Sequence, residues 1–342
     1  MEKNNTKEKR SFSTLLNQAI HAQSSGILIT LIALCIVFGT FSKAFLSLLN
    51  FNNILVQSSM TIITAVGMTF VISMGGIDIS VGSVVALSGV VMGKAIEAGV
   101  PAIPAILIGL LTGAAAGSVN GFFAGRMKIP PFIITFAMEG IARALALIIT
   151  QSIPIYGFPK AFRWFGTGWI GKVPATAVIA ISVMLLGYFV IERTSFGRNT
   201  LTIGGNPEAA RLSGIKVNRH IMTVYALSGV TSALAAVILT GRVNTAEPIA
   251  GYYMEMDAIA SAVIGGTSFS GGVAPVIGAF IGALIITILR NGLTLLNIQP
   301  YYQQLTVGIV IVAAVLVDLA RKKGGINGLI RRKKETQPKP IK

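Results

Sequence analysis

Bond-making chemistry needs a nucleophile, a metal-ligand set or a titratable pair, and these 342 residues offer none in a recognised pattern. The two histidines, His21 and His220, stand at the edges of apolar runs and have no partner motif. A lone cysteine, Cys35, excludes an intrachain disulfide and a cysteine metal site. The nearest approach to a phosphate loop, at 89–95, is one residue short and lacks the hydroxyl that would hold magnesium. No catalytic residue, metal site or cofactor of the chain's own is therefore expected. What the sequence offers instead is hydrogen bonding. Gln57 and Asn120 place amides in apolar runs, Asn291 lies near the end of one, and Asp78 sits in a glycine-rich turn. Such groups suit a path for a neutral, hydroxyl-rich molecule, and they suit bonds between helices equally well. Glu139 and Arg143 lie four apart on one helical face, so they can neutralise each other or serve transport. Arg290, near the end of an apolar run, can snorkel to an interface.

A second kind of chemistry is mechanical. The stretch 204–215, GGNPEAARLSGI, lies in a basic loop between apolar runs. Asn206 can cap a helix, Pro207 suits its first position and Gly214 can take a left-handed C-terminal turn. The predicted helix has two turns, with Ala209, Ala210 and Leu212 as a small apolar side. On a cytoplasmic surface it can dock a soluble partner, or it can be a solvated connector.

The elements that must position these residues are membrane-length helices. Hydrophobic residues make up 53% of the chain, charged residues 12%, and the mean hydropathy is +0.75. That exceeds what a soluble core requires. About ten apolar runs are predicted to span, at 27–41, 54–74, 79–93, 103–124, 129–150, 173–191, 220–240, 257–266, 273–289 and 301–320. The third, eighth and ninth are short or glycine-rich and are expected to be tilted, broken or re-entrant. The expected fold is an all-α polytopic membrane protein of about ten transmembrane helices.

Charge sets the expected orientation. The segments 1–25, 125–128, 192–220 and 321–342 carry 20 of the 28 Lys and Arg residues, which places them in the cytoplasm. Both termini then lie inside, which an even number of crossings satisfies. The expected organisation is a cytoplasmic segment 1–25, a membrane domain 26–320 with a cytoplasmic loop at 192–220, and a basic tail 321–342. The net charge of +16 flanks spans and faces anionic lipid, so nucleic acid is not the expected partner. No cleaved signal peptide is expected, because the polar N-terminal stretch exceeds the usual length.

Glycine marks where helices meet or break. Gly109, Gly113, Gly117, Gly121 and Gly125 recur at every fourth position and predict close approach by another helix, of this chain or of a second copy. Gly278 and Gly282 form a weaker pair. The turns at 75–82 and 265–272 match at four of eight positions, and broken helices there could line a path.

These features in order resemble the permease subunits of bacterial ATP-binding-cassette importers for ribose and related monosaccharides. The resemblance rests on Ala65-Val66-Gly67-Met68-Thr69, on 76–83, on 204–215, on Asp257-Ala258-Ile259-Ala260 leading into Gly265-Gly266-Thr267-Ser268, on Asn291-Gly292-Leu293 and on Tyr301-Tyr302-Gln303. It implies a bacterial plasma-membrane protein and a second permease chain, identical or not. It further implies a cytoplasmic ATPase with two nucleotide-binding domains that holds ATP–Mg, and an extracytoplasmic sugar-binding protein. It also implies that Gly205, Asn206, Pro207, Glu208, Ala209, Ala210, Arg211, Leu212, Ser213 and Gly214 couple to that ATPase. The rival expectation is an ion-coupled secondary transporter or channel for a small polar solute.

Overall fold

The computed structural model describes residues 23–322. Segment 1–25, with His21, and the tail 321–342 lie almost wholly outside them. Thirteen helices are present among the described residues: α1 (Gln23–Phe41), α2 (Leu48–Ser73), α3 (Val81–Glu97), α4 (Ala102–Gly125), α5 (Pro131–Thr150), α6 (Lys160–Thr167) and α7 (Ala175–Arg193). They continue as α8 (Ser195–Gly205), α9 (Pro207–Leu212), α10 (Val217–Val243), α11 (Met254–Ile264), α12 (Val276–Leu295) and α13 (Pro300–Lys322). Each of the ten apolar runs carries a helix. Six of these, α2, α4, α5, α7, α10 and α12, are long and apolar enough to cross a membrane. Leu111, Phe136, Leu186 and Leu305 are exposed on α4, α5, α7 and α13, as a lipid-facing surface requires. The chain is an all-α polytopic membrane protein.

Helix length departs from expectation at one run. The ninth, expected with the third and eighth to be tilted, broken or re-entrant, is a 20-residue helix that continues past the apolar run through Arg290 and Asn291. α3 and α11 are short, at 17 and 11 residues, and follow turns that interrupt the apolar sequence.

The glycine stripe finds its neighbour within the chain. α4 and α10 make the most extensive helix contact in the structure, and they run antiparallel. A Cβ at Gly113 would overlap Gly229 O, at Gly117 Tyr225 O, and at Gly121 Met222 Cα. Gly125 faces Asn218, while Gly109 faces Met92 of α3. Backbone thus touches backbone over successive turns, where dispersion and weak Cα–H contacts replace a hydrophobic drive that lipid does not supply. Gly278 and Gly282 bring α12 equally close to Gly265 O and Ser261 O of the α11 segment.

The loop 151–174 contains α6 and three two-residue strands. β1 (Ile155–Tyr156) pairs antiparallel with β4 (Thr245–Ala246), and β2 (Trp169–Ile170) pairs with β3 (Val173–Pro174). The β1–β4 pair ties this loop to the end of α10.

Gly113→Leu should lower the unfolding midpoint of the protein purified in detergent, by the equivalent of about 1–3 kcal/mol or more, because α10 backbone leaves no room for a side chain. Gly140→Ala, at a helical position with open space, should leave the midpoint unchanged or raise it. Equal midpoints for the two variants would refute the close-approach account.

Candidate functional site

The capped stretch is a helix, as its end signals require. Asn206 Oδ1 accepts from the N–H groups of Glu208 and Ala209, each at 3.0 Å, and Pro207 opens α9. At the other end, Ile215 N donates to Ala210 O (3.1 Å) and Gly214 N to Arg211 O (3.0 Å), with Gly214 at φ +83°. That closure satisfies the last carbonyls and favours a residue without Cβ. α9 has two unlike faces. Ala210 is fully buried in a cluster with Ile203, Val217 and Val224, whereas Leu212 is 89% exposed beside a solvated Glu208–Arg211 bridge (3.3 Å).

The sequence reading missed α8, the 11-residue helix on which α9 rests. Thr194 caps it, accepting from Gly197 N at 3.2 Å, and the Thr200–His220 hydrogen bond (2.8 Å) ties it to α10. His220 is thus a structural link. The signal that could have found α8 is Thr194-Ser195 followed by a stretch without proline up to Asn206.

α8 ends in a junction. A Cβ at Gly204 would overlap both Ser73 O and Gly272 N, and Gly272 N itself donates to Ser73 O at 2.7 Å. The end of α2, the end of α8 and the turn before α12 therefore meet backbone to backbone, directly behind α9. The second glycine turn is brought to this point through Gly271 and Gly272, while the first follows the end of α2 and packs elsewhere.

The first turn is fixed by a buried carboxylate. Asp78, 2% exposed, accepts from Ser80 N (3.0 Å) and Ser80 Oγ (2.6 Å) at Oδ1, and from Ser228 Oγ of α10 (2.7 Å) at Oδ2. Asn120 Nδ2 of α4 donates to Ser80 Oγ at 2.9 Å, and its Oδ1 is buried without a partner. The Ile77 carbonyl receives Thr135 Oγ1 of α5 (3.2 Å) and the Tyr225 hydroxyl of α10 (3.4 Å). Two helices, α5 and α10, thus satisfy the Ile77 carbonyl, and α4 and α10 hold the turn through side chains.

Of the four path candidates, Asp78 and Asn120 come together in this network and the other two do not join it. Asn291 exchanges two hydrogen bonds with Asn50 of α2, at 2.9 and 3.0 Å. Gln57 is half-buried on α2. Two expected charge arrangements are corrected. Arg143 forms no contact ion pair with Glu139; its Nη1 donates to Pro248 O (3.1 Å) and Ala250 O (2.6 Å), and its guanidinium lies over the Tyr252 ring at 4.5 Å. Carbonyls of a non-helical segment need donors more than a half-buried carboxylate does. Arg290 does not snorkel to the interface but pairs with Asp257 of α11 at 2.7 Å. Asn50 and Ser228 were not singled out from sequence, and Asp257 was not linked to Arg290, since nothing local distinguishes a partner more than 30 residues away.

Residues 50–315 match the family described as branched-chain amino acid transport system / permease component. The chain is 43% identical to the ribose import permease protein RbsC of Bacillus subtilis, over 88% of this chain and 94% of that protein. It is 40% identical to the D-allose transport system permease protein AlsC of Escherichia coli, over 92% and 96%. With the galactose/methyl galactoside import permease protein MglC of the same species it shares 35% identity, over 92% and 98%. No solved structure matches the chain.

Asp78→Ala should cost about 3 kcal/mol or more of stability, because several donors lose one acceptor at about 1–3 kcal/mol each, while Ser228→Ala should cost about 1 kcal/mol. Thermal unfolding of the purified variants in detergent checks the order. An Asp78→Ala variant as stable as wild type would remove the carboxylate from its central role.

Proposed function

The chain belongs to the permease-component family that its residues 50–315 match, and from that premise we propose that it is the membrane-spanning subunit of an ATP-driven monosaccharide importer. The observation that carries this reading is end-to-end similarity to permeases whose names specify ribose, allose and galactose import. The buried polar groups between the helices are mostly amides and hydroxyls, which supports a neutral, hydroxyl-rich cargo.

In this proposal the chain crosses the bacterial plasma membrane ten times, with both termini in the cytoplasm, and pairs with a second permease chain. An extracytoplasmic binding protein delivers the sugar. A cytoplasmic ATPase with two nucleotide-binding domains holds ATP–Mg, and this chain binds no cofactor. α9 is the docking element, with Leu212, Glu208 and Arg211 toward the ATPase and Ala210 toward the membrane domain. Movement of α9 would be carried by α8 to the Ser73–Gly204–Gly272 junction, and so to α2 and α12 together. Asp78, Asn120 and Asn291 hold the walls of the path in fixed register, and Gln57 is the candidate left to face its interior.

Two substitutions test the coupling. Leu212→Glu should abolish co-purification of the ATPase with the permease while leaving the permease folded, because Leu212 touches little of its own chain. Gly204→Ala should preserve ATPase binding but lower ATP-driven sugar uptake in proteoliposomes, because the added methyl pushes α8 from Ser73. Uptake driven by an ion gradient without any ATPase would overturn the importer reading altogether.

A further inference from the structure

We infer that the segment Pro248–Glu255, with Tyr252 and Tyr253 at its tip, is a sugar-contact surface inside the path; this rests on the importer reading above.

The argument begins with depth. α5 runs from Pro131 to Thr150, about 30 Å at 1.5 Å per residue, which matches the hydrocarbon thickness. Arg143 lies seven residues before its end, about 10 Å below that surface. Because Arg143 bonds Pro248 O and Ala250 O and stacks on Tyr252, the segment lies at the same depth.

Its backbone is not helical there. Between β4 and α11 it turns repeatedly, and the N–H groups of Gly251, Tyr252 and Tyr253 make no backbone hydrogen bond. Tyr253 adopts φ +65°, a left-handed conformation that is a genuine outlier for a bulky residue. Gly251 is pressed against Gly82 at the start of α3, and a Cβ at Gly82 would also lie 2.6 Å from Glu255 Oε2. Yet Tyr252 and Tyr253 are 58% and 46% exposed. Unpaired backbone donors at membrane depth are not tolerated against lipid, so this exposed surface lines a water-filled space.

What lines that space is suited to one class of cargo. Two adjacent aromatic rings offer apolar faces to the C–H side of a sugar ring. The half-buried carboxylates Glu139 and Glu255 offer hydroxyl acceptors, and Arg143, 8% exposed, has an Nε without a partner. Arg143 is the positioning residue: it holds the carbonyls and the Tyr252 ring from behind.

The test uses the complete importer, permease with ATPase and binding protein, in proteoliposomes with radiolabelled ribose. Tyr253→Gly is the informative variant, because glycine adopts φ > 0 without strain. Its thermal midpoint should hold or rise, while the maximal uptake rate should fall on the order of tenfold, the scale of one lost aromatic contact. Tyr252→Phe should keep most uptake and Tyr252→Ala should lose it. Tyr253→Cys in a Cys35→Ser background should react with a membrane-impermeant maleimide added outside, and sugar-loaded binding protein with ATP should slow that reaction. Full uptake in Tyr253→Gly and Tyr252→Ala would overturn the site and leave the importer reading standing. A Tyr253→Cys variant that reacts only with a lipophilic maleimide would overturn it too. Absence of ribose, allose or galactose uptake by the native complex would instead overturn the importer reading.

Discussion

Inside a lipid core every backbone polar group must find a partner in the protein or in enclosed water, and the rest of this structure follows from that constraint. Most of the chain meets it with helices, whose bonds are internal. Two of the described segments do not. The turn before α3 and the segment before α11 leave the helix at depth, and each is rescued by one buried ionisable side chain. Asp78 gathers donors around the first; Arg143 supplies donors to the carbonyls of the second. The signs are complementary: an acceptor set serves N–H and hydroxyl donors, and a cation serves carbonyls.

These two rescued segments are adjacent. Gly82, at the start of α3, touches Gly251 and Glu255, so the place where one helix begins late is the place where the other begins late. Helix interruptions on both sides of one contact leave a site where the backbone is not saturated. Such a site can present groups to a passing molecule, which continuous helices cannot do with their backbone.

The end of the bundle that carries α8 and α9 obeys a different rule. There water satisfies exposed backbone ends, and α8 and α9 are free to be short, capped and polar. The docking role proposed for α9 needs stiffness toward the membrane domain. Burial of Ala210, the Thr200–His220 bond and the side-chain-free junction at Gly204 supply it. A displacement of α9 then cannot be absorbed by a yielding side chain before it reaches α2 and the turn before α12.

Much of this was legible in the chain itself. Apolar runs and basic flanks follow from the solvent on each side, so they give helix positions directly. Asn206, Pro207 and Gly214 define α9 because capping is local chemistry, and the glycine stripe announces a close neighbour because only the absence of Cβ permits one. Other features were decided by tertiary structure alone. The stripe's neighbour is α10 of the same chain, since spacing fixes a face but not what meets it. Asn291 met Asn50, Arg143 met carbonyls at 248 and 250 rather than Glu139, and Arg290 met Asp257. Each of these partners is separated in sequence by 33 to 241 residues. Periodicity reports only the next turn of the same helix, so a buried polar group's partner is chosen by which helices fold together.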